Sequence, residues 1–167
     1  MLLVMLTACG GPVKPAGEPS PSRSAYAPPV AVTTGPAAHQ VEAQARLFVT
    51  EALPTAYAAP VATRRAILSP LTMDPALAGY LQAMATVDRN GQQSRGYAHP
   101  FALSVRLDGP MAVVYMCANT ADSGLYDRKT GRQVQHGIPR DSIQLTLKKD
   151  PAAVWKVAAT SHQDTSC

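Results

Sequence analysis

A chain of 167 residues, 46% of them hydrophobic, is one domain of ordinary size with enough apolar material for a real core. Its net charge of +4 comes from scattered basic residues, apart from the pairs Arg64-Arg65, Arg128-Lys129 and Lys148-Lys149. With no basic stripe and no interleaved aromatics, nucleic acid is excluded as a partner, and a mild attraction to anionic membrane surfaces remains. No cysteine–histidine spacing fits a metal site, and there is no P-loop, nucleophile elbow or zinc signature, so no cofactor is expected.

The chain begins MLLVMLTA and then reaches Cys9. Leu6-Thr7-Ala8-Cys9 resembles the bacterial lipobox, in which small residues precede a cysteine that becomes the lipidated first residue of the mature protein. The resemblance implies thioether lipidation of Cys9, acyl chains such as palmitate, and cleavage after Ala8. Residues 1–8 would then be the remnant of a signal peptide. They depart from the usual pattern in lacking a charged start and in having a short apolar run. Gly10 to Ala38, GGPVKPAGEPSPSRSAYAPPVAVTTGPAA, is rich in Pro, Gly, Ser and Ala without a hydrophobic period. Such a stretch buries too little to offset its ordering entropy and is expected to be a disordered tether, with polyproline character at Pro28-Pro29.

From residue 39 the pattern is that of a folded domain reaching residue 167. His39 to Tyr57 predicts a helix, with Val41, Ala45, Phe48, Ala52 and Leu53 near one face and Pro54 breaking or kinking its end. Val61 to Leu68 predicts a short second helix stopped by Pro70. In the third, Asp74 is a candidate N-cap, and Leu77, Leu81, Met84 and Val87 mark one side. Ala78 and Tyr80 flank that stripe, and Asn90-Gly91 ends the helix.

After Gly96 the period shortens to two. Tyr97, His99, Phe101, Leu103, Val105 and Leu107 alternate with smaller or polar residues, and Pro100 demands an edge strand or a bulge. Met111 to Val134 then forms the organising stretch, a dense strand through Val113–Cys117 followed by Asp127-Arg128-Lys129-Thr130-Gly131, a hairpin signal. Ile143, Leu145 and Leu147 mark another half-buried strand. Trp155, Val157 and Ala159 alternate with Lys156 and Ala158 in the last. Helices first and antiparallel strands after give class α+β: N-terminal helices packed on a curved antiparallel sheet of about four strands. If Cys9 carries lipid, two cysteines remain. Outside the cytoplasm two such thiols pair, which predicts a Cys117–Cys167 disulfide.

This order resembles the nuclear transport factor two-like superfamily, a cystatin-like cone. The resemblance rests on the long first helix, two shorter ones, the bent hairpin Met111–Leu147 and the closing strand with Trp155-Lys156-Val157. More narrowly, the chain is similar to small secreted lipoproteins of actinobacteria. The strand cysteine, Asp122-Ser123 and the D-x-x-T-G hairpin from Asp127 to Gly131 carry that likeness. In enzymes of the superfamily the sheet curls around an apolar pocket with a carboxylate or histidine as base. The candidate pocket residues here are Tyr97, His99, Tyr115 and Asp122. His99 shares its predicted face with Phe101 and Leu103. A rim histidine beside Pro100 and an Asx turn at Asp122 are the plainer roles, so no catalytic residue is assigned. His162 and Asp164 read as exposed.

The resulting expectation is an extracytoplasmic lipoprotein held at the cell membrane by its lipid. It would be a non-catalytic accessory or binding module for a protein or small apolar ligand, with homodimerisation through the sheet as a further expectation. The alternatives are a small isomerase- or cyclase-like enzyme and a subunit of an envelope secretion or conjugation machine.

Overall fold

The computed structural model describes residues 33–163 and Cys167. Cys9, Asp164 and the tether up to residue 32 lie outside the described residues. Four α-helices precede seven strands: α1 Pro36–Leu47, α2 Leu53–Ala58, α3 Val61–Leu68, α4 Ala76–Arg89, β1 Gln92–Arg95, β2 His99–Asp108, β3 Met111–Asn119, β4 Gly124–Asp127, β5 Gln133–His136, β6 Asp141–Lys149 and β7 Trp155–His162. Among the described residues, no helix is long and apolar enough to cross a membrane.

The first helix begins before His39. Pro36 occupies its first turn and Ala38 is buried. Just ahead, the Thr33 N–H donates to the Val105 carbonyl (2.8 Å), and the Leu107 N–H donates to Thr33 Oγ1 (3.2 Å). Thr33 is thereby attached to the edge of β2. A chain shortened to begin at Ala38 should be about 1–2 kcal/mol less stable than one beginning at Thr33, since it loses both bonds and the first helical turn. Equal melting temperatures would show that these five residues contribute nothing.

The break expected near Pro54 is a widened turn rather than a stop. Phe48–Ala52 forms one π-helical turn between α1 and α2. Proline has no N–H for the regular ladder, and widening relieves that mismatch while the chain stays helical. The stripe continues through the irregularity: Val41, Ala45, Phe48, Val49, Ala52 and Ala56 are all buried. The third predicted helix is α4. Asp74 Oδ1 accepts the Ala78 N–H (3.1 Å), and the helix closes with the Asn90 and Gly91 N–H groups on the Thr86 and Asp88 carbonyls.

The strands form two antiparallel sheets, not one. The main sheet has order β2-β3-β6-β7, with β3 central as its apolar run requires. The expected long hairpin is β3 paired with β6. Its tip leaves the sheet after Asn119, forms the β4–β5 hairpin and recruits β1 into a small sheet of order β1-β4-β5. The hairpin turn is the predicted one. Asp127 Oδ1 accepts from the backbone of Lys129 and Thr130 and from Thr130 Oγ1, and Gly131 sits at φ 69°.

The helices cover one face of the main sheet. Val105, Ala112, Val114, Met116, Ile143, Leu145, Leu147 and Val157 point toward them and join Phe48, Leu68 and Met84 in the core. Two strands shift parity along their length. Pro100 pairs with Ala118 and Ala102 with Cys117, leaving Phe101 as an extra residue. Thr146 pairs with Ala159 and Leu147 with Val157, leaving Ala158 extra. A single inserted residue moves everything beyond it to the opposite face. Directly paired residues share a face, so His99, opposite Asn119, lies away from the buried Ala118 side. His162, opposite the buried Ile143, lies on the helix side.

Candidate functional site

The second bulge builds the site. By plain alternation from Trp155, Val157 and Ala159, His162 would lie outside. The inserted Ala158 is buried, Ala159 is exposed, and Thr160 and His162 turn toward the helices. There the His162 ring Nδ1 lies 3.0 Å from Asp141 Oδ1, a carboxylate at the start of β6 that extends the inward series Ile143, Leu145 and Leu147 by one step. The Asp141 side chain is 15% exposed and that of His162 is 68% exposed, so the imidazole stands at a mouth and the carboxylate behind it.

Behind this pair lies an inner pocket of about 250 Å³ between the helices and the sheet. Its walls include Phe48, Val49, Leu53, Ala98, Ile143 and Leu145. The Tyr80 ring packs on Phe48 with centroids 5.3 Å apart, and its hydroxyl lies 2.5 Å from Thr160 Oγ1. Burial pushes the Tyr80 hydroxyl pKa up, against a smaller opposing effect of that hydrogen bond. Burial likewise raises Tyr57, with the charge of Arg64 opposing it. Both phenols therefore stay protonated at neutral pH. In front lies an open cleft of about 790 Å³ reaching His136, Arg140 and Gln163. The two hollows share Tyr57, Ser94, Thr120, Ser123, Asp141 and His162.

The rim where the two sheets part is made of close backbone crossings. A Cβ on Gly137 would run into the Thr120 carbonyl. One on Gly96, whose φ is +82°, would run into the Asp122 carbonyl and lie 2.7 Å from Ser123 Cα. Thr120 is fixed to the return strand. Its N–H and hydroxyl both donate to the Ile138 carbonyl (2.9 and 3.0 Å), and its hydroxyl accepts the Ile138 N–H (2.9 Å).

The four residues singled out in the sequence do not converge. Neither hollow is lined by Tyr97, His99, Tyr115 or Asp122. Tyr97 is 59% exposed, and Tyr115 is 41% exposed on the sheet face away from the helices. His99 is exposed because the Phe101 bulge turns it outward. The Asx turn next to Asp122 is made instead by Asn119, whose Oδ1 accepts the Ala121 N–H (2.9 Å). Asp141, Tyr57 and Tyr80 were missed. For Asp141 the signal was present, since it lies two residues before Ile143 in a strand of period two. His162 was noted only as exposed, because a bulge leaves no mark in an alternation of small residues.

Cys117 and Cys167 form a disulfide-compatible pair with Cα atoms 5.9 Å apart. Cys117 lies on the outer face, opposite Ser142. Arg140 Nη2 donates to the Cys167 carbonyl, so the terminal residue rests beside the strand that supplies Asp141. Among the described residues, no cluster of His, Cys, Asp or Glu could hold a metal ion.

No protein-family model matches the chain, and no curated protein matches it. Among solved structures, the chain is similar to the intermembrane space region of the chloroplast protein ARC6. The TM-score is 0.51 at 14% identity, covering 76% of this chain and 94% of that one. At that identity the likeness shows a shared fold alone. A de novo designed β-sheet protein aligns at 12% identity over 77% of this chain and 91% of its own, with a TM-score of 0.38 that carries no argument.

Proposed function

We propose that this chain is a lipid-anchored, extracytoplasmic binding module whose nuclear transport factor two-like domain holds a small, largely apolar ligand. The observation that carries the binding role is the inner pocket. Its walls are more apolar than polar, several of its hydroxyls are bonded to one another or to backbone, and the Asp141–His162 pair stands at the mouth, an arrangement found in small-molecule sites. Anchoring rests on Leu6-Thr7-Ala8-Cys9 and the Pro- and Gly-rich stretch behind it. The neutral dye N-phenyl-1-naphthylamine should brighten on binding, and Leu53→Trp, which fills the pocket, should abolish that signal in a protein that still melts cooperatively. A dye response unchanged by Leu53→Trp, or no response in the wild type, would sink the binding role. The anchor is tested separately: the wild type should partition into detergent and Cys9→Ala into water.

A second reading has one observation in its favour. A carboxylate that orients a histidine at an apolar pocket, with two protonated phenols nearby, is an arrangement suited to general acid–base work. In that reading His162 would move the proton, Asp141 would fix its tautomer, and Tyr57 would donate to a developing oxyanion. An activity lost a hundredfold in His162→Ala would convert the module into an enzyme.

A further inference from the structure

We infer that the natural ligand is an amphiphile with an acidic head, its apolar part in the inner pocket and its carboxylate or equivalent anion in the outer cleft. This rests on the binding role proposed above and adds the ligand's class. The argument begins with continuity. Six residues line both hollows, so one molecule can extend from the first into the second.

Polarity then changes along that path. Several inner hydroxyls are already spent: Tyr80 and Thr160 pair with each other, Thr120 is bound to Ile138, and Ser123 Oγ donates to the Thr120 carbonyl (2.8 Å). A polar group pushed inward would find few free partners and would lose its hydration, so the inner part of the ligand must be apolar.

The outer cleft has the opposite character. Its titratable lining is Tyr57, His136, Arg140, Asp141 and His162. Arg140 carries a permanent positive charge, and its fork retains donors beyond the one given to Cys167. Among the described residues that line it, the one carboxylate, Asp141, is engaged by His162. That contact occupies Nδ1 and leaves the other ring nitrogen of His162 for a ligand. His136 adds a second imidazole. Among the described lining residues, an anionic head finds two imidazoles and the remaining donors of Arg140, against one paired carboxylate.

The test uses the folded domain with N-phenyl-1-naphthylamine as reporter, displaced by decanoate or by decanol. Decanoate should displace the dye at about tenfold lower concentration than decanol, because a charge-assisted head contact is stronger than a neutral one. Arg140→Gln and, independently, His136→Gln should shrink that difference and leave decanol unchanged. Decanol displacing as well as decanoate, or a preference untouched by both variants, would overturn the acidic head while leaving the binding module intact. Dye binding that neither probe displaces would overturn the amphiphile. Absence of dye binding would remove the binding role and this inference together.

Discussion

Replacing Cys167 with serine should cost the domain about 2–5 kcal/mol and lower its melting temperature sharply without reductant. The pair closes a loop with a sequence separation of 50 residues, for which the chain-entropy account gives on the order of 4 kcal/mol. One end is on the central strand of the main sheet and the other is the final residue, otherwise held by the hydrogen bond from Arg140. Mass spectrometry of protein from the cell envelope should find the two peptides linked. Free thiols in both, or an unchanged melting point for Cys167→Ser, would refute the bridge. The oxidising compartment would then lose its second support, because only the lipobox resemblance would remain.

Asp88→Ala should cost about 3 kcal/mol, the lower end of what breaking a buried ion pair costs, because Asp88 keeps some contact with water. Arg64 on α3 is 6% exposed, and its Nη1 donates to Asp88 Oδ2 (2.7 Å) while its Nε donates to the Ala59 carbonyl (3.0 Å). Arg128, in the β4–β5 turn, reaches the other Asp88 oxygen at 2.5 Å. One carboxylate thus joins α3, α4 and the small sheet, and its removal leaves the Arg64 guanidinium buried without a counter-charge. The same arrangement fixes the pH response. The hydrogen bond from Arg64 first, and that from Arg128 after it, hold the Asp88 carboxyl below its ordinary range. A lowered folded pKa contributes stability that is present above the unfolded value, near pH 3.9, and is lost as pH falls through the folded value. Urea midpoints should therefore decline below about pH 4, and Asp88→Asn should flatten that decline. An equally steep decline in the variant would show that Asp127 and Asp150, also held low by hydrogen bonds in their turns, carry the response instead.

Periodicity made the elements legible and left the site hidden. The α3 bounds, the end of α4 and the Asp127–Gly131 turn follow from local chemistry that acts over a few residues, and the structure reproduces them. The α+β class and the central position of β3 follow from the order and apolarity of the strands. The small sheet was not legible. Gln92–Arg95 has no apolar alternation and is a strand only because β4 comes to lie beside it. The site was misread for a narrower reason. His99 and His162 exchange faces with respect to simple alternation, each because of one inserted residue, Phe101 and Ala158. Pro100 warned of the first insertion, whereas a run of Ala158, Ala159 and Thr160 gives no warning of the second.

The glycine crossings at Gly96 and Gly137 carry a consequence for how this protein can change. The rim of the cleft is backbone lying against backbone, with no side chain between to be exchanged. A substitution there obliges the two sheets to move apart, whereas Val49, Leu53, Gln135 and His136 can be exchanged without touching the crossing. Frame and lining are thus separately adjustable. A selection experiment that randomises the lining while keeping the two glycines should return folded proteins with altered ligand preference. One that randomises Gly96 and Gly137 should return glycine.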